Sequence, residues 1–265
     1  MAFHRYLRGQ RLAPVCLCLL ACGALGFASC ARADNPGYDR PGIGFTPVVL
    51  GAGQVTLEQG LLDASRDRRN GASMSLYSAD SLLRLGLGGP LELQLGGSPY
   101  NRLMVSGAGN HYASHGRGDS SVGLKFALPA TGSAFSWGLL GNVELTDGAR
   151  DFRNDRPQYL FGAQCNLQLD ARNSLGAYLQ DVRAGGRDDT ELAVSDNLTL
   201  TPALTAYAEA GLLHVPQRGA GSLLGGGLAW QPTANLQFDA GLDRGLGGAA
   251  PQWQVNLGAS IFFGR

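Results

Sequence analysis

Residues able to do chemistry are concentrated between Asn110 and Ser121, a stretch with two histidines, several serines and an acid. A serine beside a histidine and a carboxylate can act as a nucleophile with its general base. Such a group must be held on a rigid element, whereas these residues lie between glycines in a predicted loop. The sequence contains no G-x-S-x-G elbow and no H-E-x-x-H motif. We expect a solvated loop, with a lipid-hydrolase site and weak metal binding as alternatives.

A second set of ionisable side chains alternates with apolar residues along predicted strands. Charges of both signs on neighbouring strands can pair across a sheet. These side chains would either brace a narrow interior or set the polarity and selectivity of a solute path, and the sequence leaves both open. We predict no catalytic residue, no metal site and no cofactor. The residues predicted to face inward are Glu58, Arg84, Glu92, Lys125 (the only lysine of the chain), Glu144, Tyr178, Tyr207, Glu209 and Asp239.

The elements that must position these side chains are short segments of alternating polarity. Trp253 to Phe263 alternates without a break, with apolar residues on one face and small or polar residues on the other. This pattern is typical of a strand between lipid and water. Segmenting the chain at its Gly, Pro, Asn and Asp clusters predicts twelve strands. They cover residues 54–64, 79–87, 91–96, 121–128, 134–145, 158–169, 174–182, 191–200, 204–213, 222–231, 236–242 and 252–263.

The connections between these strands alternate between tight turns and longer polar stretches. Outer-membrane barrels show this asymmetry, with short periplasmic turns and longer extracellular loops, whereas a soluble sandwich does not require it. Gln59 and Asp196 fall on the apolar face, and a bulge or a register error would correct either. The tight turns are predicted at 88–90, 129–133, 170–173, 201–203 and 232–235, and the longer stretches at 65–78, 97–120, 146–157, 183–190, 214–221 and 243–251.

The N-terminus has the features of a secretory signal peptide. Arg5, Arg8 and Arg11 precede an apolar run that is too short to span a membrane, and an A-x-A site ends at residue 33. A lipoprotein with a modified Cys30 is the alternative. Without the four arginines of this leader, 17 of the 21 basic residues remain against 21 acidic ones, a formal charge of −4. The acidic balance argues against a nucleic-acid partner.

Three segments resemble a known family. Asp39-Arg40-Pro41-Gly42 followed by Gly53 to Gly60, the hairpin Leu82 to Leu93, and the strand Gly116 to Lys125 are similar to motifs of the meta-pathway phenol-degradation outer-membrane proteins. The resemblance implies an outer-membrane barrel assigned to the passage of small hydrophobic or aromatic compounds. It also places Glu58, Arg84, Glu92 and Lys125 within family motifs.

The sequence thus predicts an all-β, up-and-down transmembrane barrel of a Gram-negative outer membrane, acting as a channel for a small solute. Residues 1–33 would form the signal peptide, residues 34–53 a periplasmic segment or plug, and residues 54–265 the barrel. The expected partners are outer-membrane lipid, the barrel assembly machinery and the solute. A plugged structural or surface-interaction barrel is the alternative function.

Overall fold

The computed structural model describes residues 35–69, 71–107, 109–128, 134–186, 188–216 and 218–264. The predicted signal peptide, Cys30 and the turn at 129–133 lie outside these residues. Within them, no helix is long and apolar enough to cross a membrane. The strands are β1 (Val55–Arg69), β2 (Ala72–Gly88), β3 (Leu91–Gly107), β4 (Asn110–Gly116), β5 (Ser120–Ala127), β6 (Phe135–Glu144), β7 (Gln158–Gln168), β8 (Asn173–Arg183), β9 (Asp188–Thr201), β10 (Leu204–Val215), β11 (Gly219–Thr233), β12 (Leu236–Gly248) and β13 (Trp253–Phe263).

The sheet closes on itself through its first and last strands. Consecutive strands pair antiparallel except β4 and β5, and β1 pairs with β13 so that Glu58 lies opposite Ser260. Closure removes the unpaired edges of an open sheet. β4 and β5 both pair with β3, β5 with its first half and β4 with its second half. Together they occupy one position in the sheet, so the predicted barrel of twelve strands is confirmed.

The two faces of the sheet differ as a period of two requires. Large apolar side chains such as Leu124, Leu139 and Phe161 point outward and are 48%, 48% and 60% exposed. Glu58, Arg84, Glu92 and Lys125 point inward and are buried. The interior of this barrel is therefore polar and its outer surface apolar, the reverse of a soluble β-protein.

At the end of the barrel opposite the tight turns, the strands continue further than predicted. Residues 65–78 belong largely to a hairpin of β1 and β2, and residues 97–120 contain the second half of β3 and all of β4. The histidine-bearing loop predicted at 110–121 is thus mostly strand. These extensions were missed because polar residues occur on both of their faces, so the alternation that marks a strand is interrupted. Of the predicted longer connections, only 146–157 keeps its length, and it comprises residues 145–157 between β6 and β7.

The two outliers on the apolar face stay there. The register shifts after Gln59, and this bulge turns Asp63 inward instead of moving Gln59. Gln59 is stabilised by a hydrogen bond from the Ser81 hydroxyl and by donating to the carbonyl of Gly60. Asp196 is exposed on the outside of β9. The predicted correction by a bulge or register error was therefore wrong for both residues.

Candidate functional site

Residues 35–54, here called the inner segment, lie inside the barrel without regular secondary structure. Polar side chains of the wall satisfy several of their backbone groups. The amides of Asp39 and Arg40 donate to the two oxygens of Glu58 at 2.9 and 2.8 Å. The amide of Leu50 donates to Glu92 at 2.9 Å. A segment with no helix or strand of its own needs such partners when it is buried.

The charged core of the site is built around Arg84. Its Nη1 lies 2.9 Å from Glu58 Oε1, and its Nε lies 2.8 Å from Glu92 Oε1. These side chains come from β2, β1 and β3, which are adjacent in the sheet. All three side chains have no exposed surface. Two carboxylates in a fork around one guanidinium give a strong, directional ion pair.

Asp39 of the inner segment completes this core. Its carboxylate lies 2.8 Å from Lys125 Nζ and 3.5 Å from Arg84 Nη1. Lys125 also lies 3.2 Å from Glu92 and above the ring of Phe45. Asp39 thus lies in one cluster with the bases Arg84 and Lys125. The acids Glu58 and Glu92 complete the cluster, and these four residues come from four neighbouring strands.

The Arg40 side chain reaches a second pair of acids on the nearby strands β1 and β12. Its Nη2 lies 3.0 Å from Asp63 on β1 and 3.2 Å from Asp239 on β12. Gly258 on β13 leaves room for it, because a Cβ atom there would collide with the Arg40 side chain. Gln237 donates to the Arg40 carbonyl at 2.9 Å.

The inner segment also packs against the remaining wall through apolar contacts. The ring of Phe45 meets Tyr178 edge-on with centroids 5.9 Å apart, and Leu50 is buried with Tyr38 and Phe262. The amide of Ile43 donates to Glu209 at 2.7 Å. These contacts and the ion pairs hold the inner segment against most of the strands around the lumen.

Beyond the inner segment the lumen widens into a vestibule of about 690 Å³, whose lining includes Asp80, Asp119 and Glu144. The connection at 145–157, here called the rim loop, forms part of its wall through Phe152, Arg153 and Asn154. Asp119 holds this loop by accepting from the amides of Gly148 and Asn154, both at 2.7 Å. The loop therefore narrows the vestibule while staying attached to the barrel.

Each predicted inward residue can now be placed. Glu58, Arg84, Glu92 and Lys125 lie together in the charged core. Glu144 borders the vestibule and accepts from Asn154 at 3.1 Å. Tyr178, Tyr207, Glu209 and Asp239 are buried on β8, β10 and β12. The residues missing from the prediction include Asp39, Arg40, Asp63 and Asp243. Asp39 and Arg40 stand in the family motif at 39–42.

The serine and histidine residues near the rim form no catalytic arrangement among the described residues. Ser114 donates to Asp151, as does Tyr112, and no hydrogen bond joins His111 or His115 to a serine. Asp119 of the Arg117-Gly118-Asp119 tripeptide is buried against the rim loop. The described residues also contain no group of His, Cys, Asp or Glu arranged to hold a metal ion.

Similar architectures exist among solved structures. An outer membrane channel from Pseudomonas putida F1 is 12% identical, with a TM-score of 0.66 over 84% of this chain and 99% of that chain. A KdgM porin in complex with disordered oligogalacturonate is 8% identical, with a TM-score of 0.53 over 80% and 99% of the two chains. At these identities the likeness concerns the fold.

Comparison with curated proteins found no match. The profile of the family described as "Putative MetA-pathway of phenol degradation" matches residues 38–263, from the inner segment to the last strand. This confirms the resemblance seen in the sequence motifs, and the chain belongs to that family.

Proposed function

We propose that this protein is an outer-membrane channel for small solutes, with the inner segment as its constriction. The observation that carries the proposal is the closed barrel with an apolar outer face and a charged interior, which has a polar vestibule at one end. An apolar outer face requires lipid as its solvent, and a polar lumen requires water.

Export by a cleaved signal peptide, insertion by the barrel assembly machinery and contact with outer-membrane lipid belong to this proposal. They are supported by the leader at 1–33 and by the exposed apolar band of the barrel. The two solved structures named above are an outer membrane channel and a porin, which agrees with solute passage. We infer transport without catalysis. Among the described residues near the rim, Ser114 donates to Asp151, and no hydrogen bond joins a histidine to a serine.

Conductance in planar bilayers tests the proposal. The purified barrel should give discrete current steps, and a bulky thiol reagent should reduce them when a cysteine replaces Asn142 in the vestibule lining. Leu139→Cys on the same strand provides the control, because Leu139 faces outward. Both variants carry Cys165→Ser to remove the native free thiol. Equal block of both variants, or no current in any of them, would contradict a channel through the lumen.

A plugged structural or surface barrel is the second candidate. The contacts that favour it are the buried ion pairs between the inner segment and the wall, Asp39 with Lys125 and Arg40 with Asp239. If the inner segment closes the lumen, liposomes containing the barrel should not swell in small sugars or amino acids. Swelling at a rate that depends on solute size would instead support the channel.

A further inference from the structure

Three inward carboxylates on β10 and β12 have an oxygen that no described residue satisfies. Glu209, Asp239 and Asp243 are each 5% exposed. Glu209 Oε1, Asp239 Oδ2 and Asp243 Oδ1 accept no hydrogen bond from a donor among the described residues, although the carboxyl groups of Glu209 and Asp243 lie within hydrogen-bonding reach of each other. Glu209 and Asp243 form no ion pair with any described residue, whereas Asp239 uses its other oxygen for Arg40. A buried carboxylate without a donor or counter-charge is costly.

Glycines bring these acceptors together. Gly225 on β11 lies opposite both Glu209 and Asp243, so the two acids face each other across a position without a side chain. A Cβ atom at Gly225 would collide with Asp243 Oδ1. Gly241 likewise makes room for the hydroxyl of Tyr207 and the amide of Asn256, whose Oδ1 would lie 2.7 Å from its Cβ. Tyr207 Oη and Asn256 Oδ1 lie within reach of each other, and neither has another partner among the described residues.

The cations of the lumen are engaged elsewhere. Arg84 is held by Glu58 and Glu92, and Lys125 by Asp39. Arg40 lies between Asp63 and Asp239. Glu191 adds a further acid nearby, with Gln180 as its donor at 2.9 Å. Within the described part of the chain, Glu209 and Asp243 therefore present acceptors and negative charge to the lumen without an ion pair to a protein cation.

We propose that Glu209 and Asp243, with Tyr207 and Asn256 beside them, bind a small organic cation that carries N–H donors, and that the channel favours cationic solutes. This inference rests on the proposed function. An ammonium offers three donors and a guanidinium five, which complements a set composed mainly of acceptors. A metal ion fits less well, because the described residues form no group arranged to hold one.

The approach to this site is acidic as well. The vestibule lining includes Asp80, Asp119, Glu144 and Asp151, and Arg153 is the only base among its described residues. A cavity of about 160 Å³ shares Ser65, Leu76 and Ser78 with the vestibule and is also lined by Asp63 and Asn256. Clefts lined by one sign of charge concentrate the opposite ion. A cationic solute would thus meet negative side chains from the rim to Glu209 and Asp243.

Thermal unfolding of the protein in detergent micelles tests the site without requiring conduction. Methylammonium should raise the melting temperature in a saturable way, because a ligand that binds only the folded state stabilises it. Tetramethylammonium has the same charge but no N–H donor and should have a smaller effect at equal ionic strength. Glu209→Gln and Asp243→Asn should each raise the half-maximal methylammonium concentration about tenfold, the order expected for a lost charge-assisted hydrogen bond.

Asp196→Asn is the matched control for these variants. It removes the same charge, and Asp196 lies opposite Ala208, the neighbour of Glu209, but its side chain faces outward. The control should retain the wild-type response. No saturable stabilisation of the wild type, or equal loss in all three variants, would overturn the site. If Glu209 and Asp243 instead share a proton and bind no cation, the wild type will show no saturable stabilisation.

Reversal potentials under a KCl gradient test the selectivity. The wild type should favour K⁺ over Cl⁻, and Glu209→Gln should reduce that preference by about threefold or more, because the lumen field attracts counter-ions. A wild-type current without cation preference would overturn the selectivity while leaving the channel intact. Saturable methylammonium binding without any current would contradict the proposed channel but uphold the site.

Discussion

Arg84 shows how one buried side chain determines the interior of this barrel. Its guanidinium lies between Glu58 and Glu92, and all three side chains are inaccessible to solvent. Desolvation offsets much of the attraction in a buried ion pair, so its presence alone says little about stability. Removing one partner is different, because the remaining charges stay buried without compensation.

We therefore expect Arg84→Ala to lower the free energy of unfolding by about 3–5 kcal/mol. The two carboxylates and Asp39 would repel one another, and the inner segment would lose part of its attachment. Urea unfolding of the refolded barrel, followed by tryptophan fluorescence, measures the change. Arg102→Ala is the control, since Arg102 is exposed and no ion pair to it occurs in the described chain. Equal stability of the two variants would contradict the role assigned to Arg84.

The positions of these charges could be predicted from the sequence, but their partners could not. A period of two places Glu58, Arg84, Glu92 and Lys125 on one face. Lys125 pairs with Asp39, which is distant from it in the chain and lies in a segment without regular structure. No local periodicity marks such a segment as buried.

At the scale of elements, the inner segment depends on close backbone contacts as well as on charge. Gly53 donates its amide to the carbonyl of Gly86, and the amide of Gly86 donates to Gln54. A Cβ atom at Gly86 would collide with the Gly51 carbonyl and lie 2.6 Å from that of Leu50. Backbone atoms held by hydrogen bonds cannot move aside as the end of a flexible side chain can. The absence of a side chain at Gly86 is thus a requirement of the inner segment.

Gly86→Ala should displace residues 50–54 and widen the lumen, so we expect larger or noisier current steps in planar bilayers. A cost of the order of 1–3 kcal/mol is typical of overpacking, and heat-modifiable migration in gels would show that the barrel still closes. Gly141→Ala is the control, because a Cβ atom there meets no other atom within 4 Å. Unchanged conductance in Gly86→Ala would argue against the inner segment as the constriction.

Two carboxylates of the rim loop, Asp147 and Asp151, hold the loop to the barrel through hydrogen bonds that lower their pKa. Hydrogen bonds from the Ser120 amide and the Arg117 guanidinium lower the pKa of Asp147 to about 2. Hydrogen bonds from Ser114 and Tyr112 lower the pKa of Asp151. A group whose pKa is lowered by folding stabilises the folded form above its ordinary pKa, and this contribution disappears as the pH falls through the lowered value.

The rim loop should therefore stay attached from neutral pH down to about pH 3 and loosen only near pH 2. Hydrogen–deuterium exchange of residues 145–157 at pH 7 and pH 4, corrected for intrinsic rates, should show equal protection. Asp147→Asn should reduce protection at both pH values. Asp155→Asn, an exposed acid of the same loop, serves as the control. Loss of wild-type protection between pH 7 and pH 4 would contradict this account.

The strand extensions beyond the apolar band explain most of what sequence reasoning missed at this scale. β3 alternates clearly from Leu91 to Leu95, where lipid is expected on one side. From Tyr100 onward polar residues occur on both faces, as they should when water is present on both sides of a strand. The predicted boundaries therefore follow the apolar band and not the ends of the hydrogen-bonded sheet.

At the scale of the whole molecule, closure of the barrel and the two-sided pattern depend on each other. β13 pairs with both β1 and β12, and a slip of one residue would turn every side chain to the opposite face. Leu257 is 40% exposed on the outer surface, while Gly258 and Ser260 face the buried interior. The identity of each face can be tested by placing the same charge at neighbouring positions of this strand.

Leu257→Lys should impair insertion or lower the stability of the barrel by about 2–4 kcal/mol, the range for a lysine near the middle of the bilayer. Asn256→Lys places the same charge one residue earlier, facing a lumen wall that is rich in acids, and should be tolerated. Urea titration of barrels folded into lipid vesicles measures both. If the two lysines cost the same, the face assignment of β13 is wrong, and with it the register that places Gly258 beside Arg40. If only the outward lysine is harmful, the strand that closes the barrel also separates lipid from the charged interior.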